Sequence, residues 1–146
     1  AIALCQKYDS PVARLVEKGI ERIGRPLQDI QTAVENTGGV EVARLEKGLP
    51  MLATIAGGAP MIGFLGTVSG MIQAFFRMST AGNNIDITLL SGGIYEAMVT
   101  TVGGLFVGII AYFGYNFLTS QISNLVFKME STTIEFIDML HEPAGR

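Results

Sequence analysis

Two long uncharged stretches dominate the hydrophobic pattern of this chain. Residues 48–76 contain no Asp, Glu, Lys or Arg, and residues 87–127 contain a single one, Glu96. An α-helix needs about 20 apolar residues to cross about 30 Å of hydrocarbon, and both stretches are longer than that. The pattern therefore predicts two membrane crossings, at about residues 51–76 and 89–116.

The polar segment at residues 77–88 is predicted to be the outer loop between the crossings. It contains Ala-Gly-Asn-Asn at 81–84, residues that favour a turn, and its short length makes the crossings antiparallel neighbours. Seven Lys and Arg residues precede the first crossing, one lies in the loop and two follow the second crossing. Because cytoplasmic flanks are enriched in Lys and Arg, both ends of this sequence are predicted to be cytoplasmic.

Residues 1–50 carry an amphipathic pattern and are predicted to be a cytoplasmic helical segment. Ser10 and Pro11 form a good helix start, as N-cap and first helical residue. Apolar residues then recur at helical spacing to about Ile23. Pro26 opens a second predicted helix, which Asn-Thr-Gly-Gly at 36–39 is expected to end.

Residues 119–146 are predicted to continue the second crossing as a cytoplasmic helical extension that ends near His141 and Pro143. A mostly apolar stripe that starts just before this extension repeats with alternating spacings of four and three. It consists of Leu118, Ile122, Leu125, Met129, Thr132, Phe136 and Met139. Two explanations remain open at this stage. The stripe packs on the N-terminal helices, which we favour, or it forms a coiled coil.

Composition supports an all-α integral membrane helical bundle whose long helices extend into the cytoplasm. The 146 residues are 49% hydrophobic with a mean hydropathy of +0.41, above the soluble norm. A soluble chain of this length has too little other material to wrap two such helices.

The sequence contains no basic patch that would favour binding of nucleic acid. One cysteine, Cys5, and one histidine, His141, cannot form a disulfide framework or a zinc site, and no cofactor is predicted.

Small residues are concentrated in both predicted crossings and indicate close helix packing. Gly66 with Gly70 and Gly104 with Gly108 form GxxxG pairs, which place two glycines on one helix face. Glycine is also generally common in membrane helices, so one such pair alone is weak evidence. Two pairs favour packing or self-assembly, and the predicted packing positions are Gly63, Gly66, Gly70, Gly103, Gly104 and Gly108.

Glu96 is the residue most indicative of function. A carboxylate inside a bilayer costs several kcal/mol and usually faces a protein interior or a hydrated cavity. Alternatively, the second crossing starts near Gly93, and Glu96 is then a helix N-terminal carboxylate near the outer interface. Thr100 is four residues on and shares the face of Glu96, whereas Thr101 is about 140° away in an ideal helix.

Two motifs resemble the MotA/TolQ/ExbB proton channel family, and within it most closely the ExbB branch. The first is Pro60-x-x-Gly-Phe-Leu-Gly-Thr-Val-x-Gly-Met at 60–71, and the second is Gly-Ile-x-Glu-Ala at 93–97, with Thr101 and Tyr-Asn at 115–116 downstream. The similarity covers the two crossings closely and the flanking segments loosely. It implies a further crossing upstream of Ala1, which this sequence does not include.

The resemblance implies a non-enzymatic subunit of an inner-membrane motor that couples the proton motive force to outer-membrane transport. Five subunits would form a wall around a dimer of ExbD- or TolR-like single-crossing partners, with a TonB-like protein and membrane lipid as further partners. It places Glu96, Thr67 and Thr101 on the proton pathway. Helix periodicity favours Thr100 instead of Thr101, and a π-bulge is one way to reconcile the two.

Other functions remain open within and outside this resemblance. Within it, the alternatives are a TolQ-like envelope-maintenance subunit and a gliding-motor subunit. Outside it, the chain is a non-conducting structural assembly factor, in which Glu96→Gln leaves function intact while Gly66→Leu or Gly104→Leu destroys assembly. A membrane-embedded enzyme is disfavoured because the sequence offers neither a nucleophile–base pair nor a metal cluster.

Overall fold

A computed structural model describes residues 1–82 and 86–141, which form α-helices joined by short connections. The helices are α1 (Ile2–Lys7), α2 (Pro11–Glu21), α3 (Leu27–Leu45), α4 (Leu49–Thr80) and α5 (Ile87–His141). The chain divides into two compact units. Unit 1 comprises residues 1–47 and 119–146, of which 142–146 lie outside the described residues, and unit 2 comprises residues 48–118. Helix α5 contributes to both units.

Unit 1 has an ordinary apolar core. Leu15 of α2, Val34 of α3 and Met129 of α5 are buried together, with exposures of 3%, 1% and 3%. Leu125 packs against this cluster, and the ring of Phe136 lies against Gly19. The prediction that the α5 stripe packs on the N-terminal helices is therefore confirmed at Leu125, Met129 and Phe136, whereas Met139 at the end of the stripe is exposed.

The local signals at the start of α2 act as predicted. The Ser10 hydroxyl accepts a hydrogen bond from the Ala13 amide at 3.2 Å, and Pro11 occupies the first helical position. Helix α2 ends at Glu21, two residues before the predicted end. Gly24 follows with φ of +99°, the left-handed conformation that glycine adopts easily, and so turns the chain towards α3.

The expected end of α3 at Gly38 and Gly39 is wrong, because the helix continues to Leu45. A glycine inside a helix costs about 1 kcal/mol relative to alanine, which tertiary packing can offset. A Cβ on Gly38 would lie 3.4 Å from the Leu15 side chain, an ordinary van der Waals contact, so the packing of α2 on α3 does not itself require glycine here. Beyond it, Val42 and Leu45 pack on the same core.

A buried ion pair also joins α2 to α3. Glu41 is 4% exposed and accepts hydrogen bonds from Arg14 Nη2 at 2.7 Å and from Arg44 Nη1 at 3.3 Å. Arg14 also pairs with Asp9. The hydrogen bond from Arg14 is the main cause that lowers the pKa of Glu41, against the opposing effect of burial. The sequence alone did not indicate this pair.

Unit 2 is an antiparallel pair of long helices, α4 and the part of α5 up to Leu118. Both helices are long and apolar enough to cross a membrane. Helix α4 begins two residues before the predicted crossing and ends four residues after it, so Arg77 belongs to α4 and not to the loop. Asn83 and Asn84 of the predicted turn lie outside the described residues.

Candidate functional site

The helices of unit 2 approach each other through glycines. A Cβ built on Gly63 would lie 2.9 Å from the Thr100 carbonyl oxygen, and one on Gly104 would lie 2.6 Å from the Ala59 carbonyl oxygen. Real Cβ atoms do not make contacts this short, and backbone atoms cannot easily move aside. These positions therefore require glycine for α4 and α5 to pack as they do.

The other predicted packing glycines differ in their surroundings. Gly66 lies against the Thr100 side chain, Gly70 against Ala97, and Gly108 against the Pro60 ring. A Cβ on Gly103, in contrast, would meet nothing within 4 Å. Gly103 thus takes no part in the packing of α4 on α5, and its role stays a prediction that concerns contacts with another chain.

A further close contact that was not predicted lies nearer the loop. A Cβ on Gly93 would lie 2.9 Å from the Cβ of Ala74, which is itself 5% exposed. Gly93 is ten residues before Gly103, the nearest predicted packing position of α5, and pairs with alanine instead of glycine. The contact therefore belongs to no GxxxG pair, although Gly70 and Ala74 form a small-xxx-small pair in the sequence.

Two threonines join the helices next to the glycine contacts. The hydroxyls of Thr67 on α4 and Thr101 on α5 are hydrogen-bonded to each other. Thr67 Oγ1 also lies 3.0 Å from the Ala97 carbonyl oxygen, and Thr101 Oγ1 lies 3.3 Å from the Gly63 carbonyl oxygen. The structure thus brings together the two threonines that the resemblance singled out, between the helices.

Thr100 is on the side of the helix pair where Glu96 lies. Its hydroxyl donates to the Ala97 carbonyl at 2.6 Å, and Thr100 and Glu96 line one cavity. Helix α5 is α-helical without interruption from Ile87 to His141, so the π-bulge suggested to unite Thr101 with Glu96 is absent. Helix periodicity correctly grouped Thr100 with Glu96, while Thr101 faces Thr67.

Glu96 lies well inside α5 and not at its start. The helix begins at Ile87, so Glu96 is nine residues, or about 13 Å, along its axis. It is therefore not a first-turn carboxylate of α5, so the helix dipole does not account for its position. The residue is exposed, and its carboxylate has no hydrogen bond or ion pair with any described residue of this chain.

The cavity beside Glu96 contains polar residues that were not predicted. Its volume is about 180 Å³, and its polar side chains on α4 are Ser69, Gln73 and Arg77, which follow one helix face at intervals of four. A second cavity of about 380 Å³ shares Glu96 and Arg77 with the first, and it also contains Asp86 and Thr88. The four-residue spacing was visible in the sequence, but only the helix pairing shows that it lies beside Glu96.

Comparison with known proteins finds one matching family and several relatives. The family described as "MotA/TolQ/ExbB proton channel family" matches residues 7–131. A putative biopolymer transport protein ExbB homolog of Methanothermobacter thermautotrophicus is 33% identical over 85% of this chain and 43% of its own length. The Tol-Pal system protein TolQ of Haemophilus influenzae is 36% identical over 71% of this chain and 45% of its own length.

A third relative is similar over a shorter range. The biopolymer transport protein ExbB of Xanthomonas campestris pv. campestris is 35% identical over 62% of this chain and 36% of its own length. This chain therefore spans less than half the length of each of these three relatives. All three carry names of the ExbB and TolQ branches.

Proposed function

Since the chain belongs to the MotA/TolQ/ExbB proton channel family, we propose that it is the proton-channel wall subunit of a motor in the bacterial inner membrane. Five copies surround a dimer of an ExbD- or TolR-like single-crossing protein, and proton flow drives outer-membrane transport through a TonB-like protein. Both ends of the sequence are cytoplasmic in this proposal, and lipid contacts the outer surface of the bundle.

The observation that carries the proposal is Glu96. It is an exposed carboxylate in an apolar helix, and the described part of this chain provides no partner for it. Exposure of a charge to lipid costs several kcal/mol. This chain lines the cavity beside Glu96 with polar side chains but gives its carboxylate no hydrogen bond. Its direct partners are therefore supplied by water and other chains, as they are for a residue that faces a hydrated passage between subunits.

The threonine pair supports a fixed geometry for that passage. Thr67 and Thr101 connect α4 to α5 through hydroxyls and backbone carbonyls. The membrane potential supplies about 2.3 kcal/mol per charge per 100 mV, and a rigid wall is needed to direct this energy into movement of the enclosed dimer. The proposed mechanism is stepwise rotation, in which the partner's two carboxylates load with protons alternately.

The decisive experiment compares Glu96→Gln with the wild type in the full-length complex reconstituted into liposomes. The variant keeps the side-chain size but cannot exchange a proton, so we expect potential-driven proton flux to fall by about two orders of magnitude. Glu135→Gln is the matched control, an exposed carboxylate on α5 outside the apolar stretch. Native mass spectrometry of both variants counts the subunits.

Two outcomes would reject the proposal. Normal proton flux in Glu96→Gln would favour the structural assembly factor, particularly if Gly104→Leu abolished assembly in the same preparation. A complex without a single-crossing partner would also contradict it.

Because the TolQ relative is as similar as the ExbB relatives, envelope maintenance is the second candidate function. The identity of the co-purified partner distinguishes it from outer-membrane transport.

A further inference from the structure

The cavity beside Glu96 has the chemical character of a cation site. Besides the carboxylate, its polar oxygens come from Ser69, Gln73 and Thr100. Hard cations such as Na⁺ are bound by sets of carboxylate, amide and hydroxyl oxygens of this kind. The lining also contains Arg77, whose positive charge is unfavourable in a cation site.

The hydroxyls in this cavity have already used their hydrogens. Ser69 Oγ donates to the Gly66 carbonyl at 3.2 Å, and Thr100 Oγ1 donates to the Ala97 carbonyl at 2.6 Å. Each oxygen can then only accept a hydrogen bond or coordinate a cation. Together with the Glu96 carboxyl group, three of the lining side chains offer acceptor oxygens, which favour positive charge.

Arg77 is the charge that opposes a cation here. It is the only Lys or Arg between Lys47 and Lys128 in the sequence, and it lines both cavities that contain Glu96. No ion pair within 4.0 Å joins it to Glu96 or to Asp86 among the residues described. Its charge therefore acts on the cavity without being neutralised by direct contact.

Asp86, the other acid of the second cavity, has a separate partner. Its Oδ1 accepts a hydrogen bond from the Thr88 amide at 2.9 Å, at the start of α5. The positive end of the helix dipole stabilises a carboxylate at this position. Asp86 thus stabilises the start of α5, and it forms no ion pair with Arg77 among the residues described.

From this arrangement we infer that Arg77 determines ion specificity at Glu96, by excluding alkali cations from an oxygen-lined site that would otherwise bind Na⁺. A proton is transferred through hydrogen-bonded water and binds one carboxylate oxygen, so it needs no shell of oxygen ligands. Na⁺ needs several oxygens at once, in the same small cavity as a guanidinium. This inference rests on the proposed proton-channel function and adds the residue that selects the ion.

The test measures proton flux of the full-length complex in liposomes, with Na⁺ exchanged for choline at constant ionic strength. Wild-type and Arg77→Lys flux should be insensitive to the exchange. In Arg77→Gln, Na⁺ should compete at Glu96 and reduce proton flux by about tenfold, because the repulsive charge is gone. Ser69→Ala combined with Arg77→Gln should weaken the Na⁺ inhibition, since one ligand oxygen is lost.

A chemical rescue separates the charge from assembly. Cys5 is the only cysteine of the sequence, so Arg77→Cys in a Cys5→Ser background can be labelled after assembly with a cationic or a neutral thiol reagent. The cationic label should restore insensitivity to Na⁺, and the neutral label should not. If Arg77→Gln and unlabelled Arg77→Cys both fail to assemble, Arg77 has a structural role and the inference is overturned.

The outcomes also distinguish this inference from the proposed function. Wild-type proton flux with no Na⁺ effect in Arg77→Gln overturns the inference and leaves the proton channel intact. Na⁺ flux in the wild type overturns the inference as well, because Arg77 then does not exclude the ion. Absence of any cation flux in the wild-type complex rejects the proposed function itself.

Discussion

The two units bury opposite kinds of residue. Unit 1 buries large apolar side chains, with Leu15, Val34 and Met129 at its centre, as soluble proteins do. Unit 2 buries glycine and alanine, while its large apolar residues, such as Phe64 and Phe113, are 65% and 69% exposed. The hydrophobic effect drives the first arrangement, but it gives no advantage to helix contact inside lipid.

This difference predicts that the units respond to different mutations. Loss of volume should damage unit 1, because a cavity forms among large side chains. Gain of volume should damage unit 2, because its helices meet backbone to backbone. Hydrogen exchange on the purified complex resolves the two responses, since amides of α2 and α3 report on unit 1 and amides of α4 report on unit 2.

The largest effect is expected for Met129→Ala. Met129 is 3% exposed and packs against Leu15 and Val34, so its truncation should lower the free energy of unfolding of unit 1 by about 4 kcal/mol. Amide exchange in α2 and α3 should accelerate while α4 stays protected. Met139→Ala is the matched control, since Met139 is on the same helix and 67% exposed. A similar loss in both variants would disprove the core assignment.

The next effect concerns the buried ion pair of unit 1. Glu41→Gln removes one partner of Arg14 and should cost about 3 kcal/mol, at the lower end for buried pairs because Arg14 is about one-third exposed. Glu46→Gln, which changes an exposed acid on the neighbouring turn, should cost about 0.5 kcal/mol or less. Chemical denaturation followed by exchange of α2 amides measures the difference.

The same pair also gives unit 1 a pH dependence. The folded-state pKa of Glu41 is lowered, chiefly by the hydrogen bond from Arg14. The stabilisation is therefore fully present above the ordinary glutamate pKa of about 4.3 and is lost as pH falls through the lowered folded value. Glu41→Gln should remove this part of the acid sensitivity. An unchanged pH profile in that variant would show that the pair does not control acid stability.

Gly104→Ala tests whether added side-chain volume destabilises the helix pair of unit 2. The new Cβ would lie 2.6 Å from the Ala59 carbonyl oxygen, so α4 and α5 must separate, at a cost of about 2 kcal/mol. Gly103→Ala adds the same methyl group one residue away, where nothing lies within 4 Å. Amide exchange in α4 should rise only in the first variant. Equal tolerance of both would contradict the glycine packing of this unit.

Sequence reasoning succeeded where a local pattern reflects a simple physical requirement. Long uncharged stretches predicted α4 and α5, and Ser10 with Pro11 predicted the start of α2. It failed at Gly38 and Gly39 because the local signal for helix termination is weaker than the packing of Val42 and Leu45 on the core, which only the folded unit provides. Secondary-structure propensity is overridden by tertiary packing of this kind.

At the candidate site, too, the sequence reveals what depends on one helix alone but not what depends on how the two helices pack. Glu96 stands out in any reading of the sequence, because a lone charge in an apolar helix is costly. Gln73 and Arg77 did not stand out, since their relevance depends on which face of α4 packs beside α5. The register of two helices is set by many small contacts, and spacing within one helix cannot determine it.

The smallest effect is expected for Thr101→Val, which removes the hydroxyl that bonds to Thr67 and the Gly63 carbonyl. Hydrogen bonds between membrane helices contribute about 1 kcal/mol, so α4 exchange should rise only slightly. Proton flux should nevertheless fall clearly if the threonines fix the geometry of the passage. Thr54→Val is the control, because the Thr54 hydroxyl bonds to Pro50 of its own helix. If both variants conduct normally, the threonine pair serves packing alone.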